Sequence, residues 1–287
     1  MKTQTSTHAP RFSSRILAVV CGLMLVTPGL SAAEKKSEQR ALLQQKAVAS
    51  KGDAAAQTRL GVMYANGQGT TVNPPEAVKW FRLAAAQNNA EAQFQLGIMY
   101  AFGHGLKQDD QTAIDWYQRA ATQGHARAQN EMGVMSERGR GVRRDDAEAV
   151  KWYRLAAEQG DANAQVNLGI KYDLGHGVRQ SYREAVKWFR AAADQGNANA
   201  LNNLGVMYAD GLGVTVSRVV AHTLYHSSAI IDPSAANQAG NNRNAIASKM
   251  TASEVDAAQA LAKELSASMT LVKTLDDWCA RHGVRLL

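Results

Sequence analysis

Ala56, Ala92, Ala128, Ala164 and Ala200 stand 36 residues apart, and the same residues return around each of them at the same offsets. Leu60, Leu96, Met132, Leu168 and Leu204 follow four positions later, and each is followed by a glycine: Gly61, Gly97, Gly133, Gly169 and Gly205. Tyr64, Tyr100, Tyr172 and Tyr208 hold the next shared position, with Ser136 as the exception. A Gly-x-Gly pair then recurs in every unit, from Gly67 and Gly69 in the first to Gly211 and Gly213 in the last. Trp80, Trp116, Trp152 and Trp188 mark the second half, where the fifth unit has Leu224. A period of this length is the signature of a repeat architecture, in which one supersecondary unit stacks on its own copies.

Spacing converts each unit into two helices. Ala, Leu and Tyr at steps of four share one face of a first helix. The glycine after Leu leaves room for a neighbouring helix, and the Gly-x-Gly pair ends the helix by supplying positive φ. A polar residue such as Asp109 or Asp145 stands just before the second helix. In the third unit that helix buries Ala149, Trp152, Tyr153 and Ala156, the spacing of an apolar stripe, which places the tryptophan column in the core. Gly124, Gly160 and Gly196, with Asn88 in the first unit, close the second helices. A pair this short cannot bury its faces alone, so stacking must stabilise it.

The ends depart from the period. Residues 1–33 read as a secretory signal peptide: Lys2, Arg11 and Arg15 are basic, Ile16 to Val26 are apolar, and Ser31 and Ala33 take the −3 and −1 positions of a cleavage site. The apolar run is shorter than the roughly 20 residues of a membrane span. The expected mature chain starts near Glu34, is periplasmic or secreted, and has no stable membrane span. Losing three basic residues and no acidic one lowers the formal net charge from +7 to +4. Cys279 is then a lone thiol in an oxidising compartment, and export makes nucleic acid a poor partner despite the basic balance. Residues 34–55 read as a capping helix, since Ala41 to Lys51 match a second helix only, and residues 56–231 hold five units. In residues 232–287, Asp232-Pro233 breaks the period and Ala235 to Lys249 read as a last helix of the first type. Thr251 and Glu254 form a capping-box pattern before Val255 to Leu265. Thr270 to Leu287 fit either an amphipathic cap or a mobile tail.

The stretch AQVNLGIKYDLGHGVRQSYREAVKWFRAAADQGNAN, from Ala164 to Asn199, resembles a Sel-1-like repeat, a relative of the tetratricopeptide repeat. The resemblance implies an all-α fold, an α/α right-handed superhelix of helix-turn-helix repeats with a half-unit N-terminal cap and a C-terminal helical cap. It also implies a non-enzymatic adaptor in the cell envelope that captures a protein or peptide segment in its concave groove, without cofactor. Anchoring of peptidoglycan or envelope assembly factors is an alternative. Some exported relatives are associated with β-lactam hydrolysis, but they are cysteine-rich, and this chain has no cysteine in its repeats and neither S-x-x-K nor K-T-G.

In such arrays the first helices line the concave face. With the buried columns set aside, two neighbouring columns remain as the candidate groove. Arg59, Gln95, Glu131, Asn167 and Asn203 form a polar column whose amides can bind an extended backbone. Met63, Met99, Met135, Lys171 and Met207 form a second, and methionine adapts to varied apolar side chains. Arg138, Arg140, Arg143 and Arg144 crowd the turn of the third unit, a basic patch able to meet an acidic loop, a phosphate or a surface polymer. The recurring Gly-x-Gly pairs follow helices rather than strands, so a turn requirement accounts for them better than a phosphate does. His222 and His226 are four apart but lack an evident third metal ligand.

Overall fold

The computed structural model describes residues 31–234, 237–268, 270–285 and 287. Every element among them is a helix. A capping helix α1 (Ala32–Ala49) precedes five helix pairs: α2 (Ala54–Asn66) with α3 (Pro74–Ala86), α4 (Ala90–Phe102) with α5 (Asp110–Thr122), α6 (Ala126–Arg138) with α7 (Asp146–Glu158), α8 (Ala162–Leu174) with α9 (Tyr182–Asp194), and α10 (Ala198–Asp210) with α11 (Arg218–Ile231). The C-terminal cap adds α12 (Ala239–Ala247), α13 (Ala252–Ala267) and α14 (Leu271–Arg281). The chain forms two compact units that divide between Arg119 and Ala120, inside α5.

Caps explain why the helices start where they do. The Asp53, Asn89, Asp161 and Asn197 carboxylate or amide oxygens, and His125 Nδ1, accept the backbone N–H of the repeated alanine, one of the donors a helix leaves unpaired. Asp145 does the same for Ala147 and Glu148, and Asp109 for Gln111 and Thr112. The Thr251 and Glu254 capping box forms in both directions and opens α13. A second capping box, Ser31 with Glu34, opens α1 and spans the expected cleavage junction after Ala33; the rest of the expected signal lies outside the described residues. Cleavage there would remove Ser31 from the helix.

The glycines of the Gly-x-Gly pair have different duties, seen at Gly175 and Gly177. Gly175 ends α8 in the left-handed region (φ 71°), and its N–H returns to the Lys171 carbonyl. Gly177 is also left-handed (φ 73°), and a Cβ there would overlap the backbone of Asp146 and Ala147 at the start of α7. Gly105 lies against Pro74 and Gly213 against Tyr182 in the same way. These three turns therefore stack directly on the second helix of the preceding pair.

The core corrects the expectation for tryptophan. Phe81, Tyr117, Tyr153, Phe189 and Tyr225, each one residue after the Trp or Leu224 position, lie over the glycine of the paired first helix, in Gly133 so closely that a Cβ would come within 2.5 Å of the Tyr153 ring. Successive residues point about 100° apart around a helix, so the tryptophans face sideways. Trp80 is buried against Leu42, Ala49, Ala56 and Leu60, but Trp116, Trp152 and Trp188 are only half-buried. Trp188 packs on the cluster of Tyr153, Ala156 and Leu168, with Lys187 over its ring. Trp188 thus serves contact between repeats, while the residue after each tryptophan position fills its own repeat.

A glutamine column also supports the stack. In the second unit Gln129 and Gln165 donate to the Ala121 and Ala157 carbonyls and accept from Gln159 and Gln195. Gln57 does the same with Ala49 and Gln87 in the first. These buried amides satisfy carbonyls that helix ends leave open. At the C-terminus, Leu275, Trp278 and Cys279 of α14 are buried in the cluster holding Phe189, Tyr208 and Leu224. Arg190 pairs with Asp276, and Thr215 N–H donates to the Arg285 carbonyl at 2.8 Å. The last segment is therefore a docked cap.

Candidate functional site

In the first unit the polar column splits. Arg59 is exposed and has no hydrogen-bond or ion-pair partner among the described residues. Gln95 is buried, its Nε2 donating to Glu91 Oε1 at 2.6 Å, so it does not line an open face. In the second unit, Glu131, Asn167 and Asn203 are all half-buried. Asn167 donates to Asn130 Oδ1 at 3.0 Å, whereas Asn203 has no partner among the described residues. Glu131 accepts from Asn130, yet the protein around its carboxyl raises its pKa, desolvation outweighing the hydrogen bond.

The methionine column is corrected outright. Met99, Met135 and Met207 are 2%, 2% and 1% exposed, and Met63 packs partly buried against Leu42 and Leu60. These flexible side chains fill space between helices, where their adaptability suits an irregular gap as well as it would a ligand. Met99, Met135 and Met207 offer a partner no open methionine floor.

Lys171, in the same column, is not a groove residue either. Its side chain is 3% exposed, and Nζ bonds Glu137 at 2.8 Å and Asp146 at 2.7 Å. Tyr153 donates its hydroxyl to the other Glu137 oxygen at 2.6 Å. The hydrogen bond from Lys171 is the largest influence on Asp146 and holds its pKa below the usual aspartate value. A depressed carboxyl stabilises the fold above its unfolded pKa and loses that contribution as pH falls through the folded one. Lys171→Met, which restores the column's usual residue, is expected to lower stability at pH 7 and to flatten the loss of stability below about pH 4. Urea unfolding across pH reads this; parallel curves for the two proteins would remove Lys171 as the source of Asp146's depressed pKa.

The basic patch remains at the surface. Arg138, Arg143 and Arg144 are exposed and Arg140 is half-buried. Arg144 pairs with Asp146 at 3.2 Å, so the carboxylate that binds Lys171 also offsets part of the patch. At this exposure the pair adds little stability. The histidines of the turns differ: His104 stacks on Phe102 at 5.9 Å and burial lowers its pKa, while His176 is exposed. Among the described residues no cluster of three His, Cys, Asp or Glu could hold a metal, and no helix is long and apolar enough to cross a membrane.

Sequence reasoning missed the glutamine column and the buried Lys171 triad. The second had a signal: Ser136, Glu137 and Lys171 replace Tyr, Ala and Met at positions that most units keep.

The comparisons agree with the period. The Sel1 repeat family matches residues 54–89, 90–125, 126–161, 162–197 and 198–230. A Sel1 repeat protein from Oxalobacter formigenes is 34% identical, with a TM-score of 0.64 over 69% of this chain and 78% of its own. The antigen c5321, described as protective and present in uropathogenic Escherichia coli strains, is 34% identical, with a TM-score of 0.62 over 84% of this chain and 56% of its own. The immunity protein Pa5087 from Pseudomonas aeruginosa, 19% identical with a TM-score of 0.50 over 78% of this chain and 85% of its own, shares the fold alone. No curated protein matches the sequence. Five matched repeats over most of the chain, with a Sel1 repeat protein 34% identical, place the chain in the Sel1 repeat family.

Proposed function

We propose that the chain is a non-enzymatic scaffold of the cell envelope, periplasmic or secreted, that holds a segment of a protein partner against the first-helix face of its repeats. The observation that carries this reading is the amide of Asn203, which is half-exposed on α10 and has no partner among the described residues. Such an amide offers a donor and an acceptor to an extended backbone. Asn167 and Glu131 occupy the same register in the two preceding repeats and stay partly accessible. With Met135 and Met207 buried beside these residues, recognition on this face is polar rather than apolar. Membership of the Sel1 repeat family supports the adaptor role, and the signal-like residues 1–33 support the location.

Photocrosslinking tests the reading. A benzophenone side chain at Asn203 is expected to give a discrete adduct in cells, and one at the exposed Leu155 of α7 is expected to give none. Asn167→Ala combined with Asn203→Ala should weaken capture about tenfold with Tm changed by less than about 2 °C. If Tm falls in step with capture, the amides serve the scaffold and the face is not the site.

A further inference from the structure

The C-terminal cap and the last repeat border a groove of about 760 Å³, none of whose lining residues belongs to the first-helix columns assigned above. Its two long walls are helical ridges. His222, His226 and Ile230 recur every four residues along α11, and Ala258, Ala262 and Leu265 follow a helical spacing along α13. Arg243 of α12 and Lys263 of α13 also line it, and Leu271, at the start of α14, is the last lining residue. Ile230 and Ile231 are 66% and 52% exposed, a large apolar surface at one end of the groove.

The charge of the groove has one sign. Four lining residues carry nitrogen bases, His222, His226, Arg243 and Lys263, and no carboxylate lines it. Neither Arg243 nor Lys263 has an ion-pair partner among the described residues, whereas the nearby cations Arg218 and Arg281 are paired with Glu254 and Glu264. Burial lowers the pKa of His222, with smaller contributions in the same direction from His226 and Arg243 beside it.

We propose that this groove is a docking site for an acidic amphipathic helix of a partner protein, distinct from the first-helix face. The two ridges border a valley of the kind into which a third helix packs. The α11 wall from His222 to Ile231 is about 14 Å long, which suits two to three helical turns of an occupant. Apolar side chains on one face of that helix would meet the exposed Ile230 and Ile231, and its carboxylates would meet Arg243 and Lys263, which no carboxylate pairs among the described residues.

Fluorescence polarisation with the full chain tests this. The probe is a fluorescein-labelled leucine–glutamate helix of roughly 14 residues, and its lysine-for-glutamate counterpart is the control. The acidic probe should bind at least about tenfold more tightly than the basic one, and raising NaCl from about 50 mM to about 300 mM should weaken it several-fold. Arg243→Glu with Lys263→Glu, and separately Ile230→Asp at an exposed position, should each weaken it about tenfold while Tm stays near the parent value. Equal binding of the two probes, or unchanged binding in both variants, would overturn the proposal. So would a dimer by light scattering that Ile230→Asp dissolves, because the groove would then hold a second copy of this chain. None of these variants touches Asn167 or Asn203, so this site and the first-helix face fail independently.

Discussion

Gly177→Ala is expected to cost about 3–5 kcal/mol, a large share of the ~5–15 kcal/mol that keeps a typical domain folded. Two penalties add. Alanine at φ 73° pays about 1–2 kcal/mol for the left-handed backbone. Its methyl would also overlap the Asp146 carbonyl and the Ala147 nitrogen, which are backbone atoms at the start of α7 and cannot swing aside. Overpacking typically costs about 1–3 kcal/mol, and more where the neighbours are rigid. Gly160→Ala supplies the comparison. Gly160 has φ 89°, but nothing lies within 4 Å of a Cβ there, so only the backbone penalty applies. Urea unfolding should place Gly177→Ala well below Gly160→Ala. Equal losses would mean that the turn does not bear on the preceding repeat as the packing indicates. Because stability in a repeat array depends on nearest-neighbour contact, the loss should spread from α8 into α7 rather than remain in the turn.

The same contact shows where sequence reasoning stops. The period, the helix pairs and the capping residues Asp109 and Asp145 were legible because each depends on neighbours within a few positions. The capping box of Thr251 and Glu254 was legible for the same reason. That Gly177 meets Asp146, 31 residues earlier, was not, because a positive-φ turn alone explains the glycine. The methionine column was ambiguous in kind. A methionine on a helix face suits a ligand and an interhelical gap equally, and only the packing of Met99, Met135 and Met207 decides between them. Lys171 was assigned to the groove with that column, yet its carboxylates come from α6 and α7 and make it a buried ion. The tail after Thr270 fitted a cap and a mobile tail equally, and the burial of Leu275, Trp278 and Cys279 decides for the cap. Its docking depends on Arg190, which is 86 residues from Asp276.

Tyr153→Ala is expected to cost about 3–5 kcal/mol, and Trp152→Ala, one position earlier and larger, about 1–2 kcal/mol. Size alone predicts the reverse order. Tyr153 is fully buried, its ring occupying the space that Gly133 leaves on α6, so truncation opens a cavity between two helices held by backbone contact. Trp152 keeps part of its ring in solvent, and its removal exposes a surface that water can reach. Tyr153→Phe separates packing from hydrogen bonding. It removes the 2.6 Å bond to Glu137 but leaves the ring and the Lys171 contact to the same carboxylate. A cost near 1 kcal/mol for Tyr153→Phe would assign most of the alanine effect to the cavity. A Trp152→Ala cost at or above that of Tyr153→Ala would return the tryptophan column to the core. The wheel of a single helix admits both assignments, since both residues fall within its apolar arc. What selects Tyr153 is the glycine on the partner helix, because only the residue facing Gly133 can close that approach, and the order of the two losses is the direct measure of which residue that is.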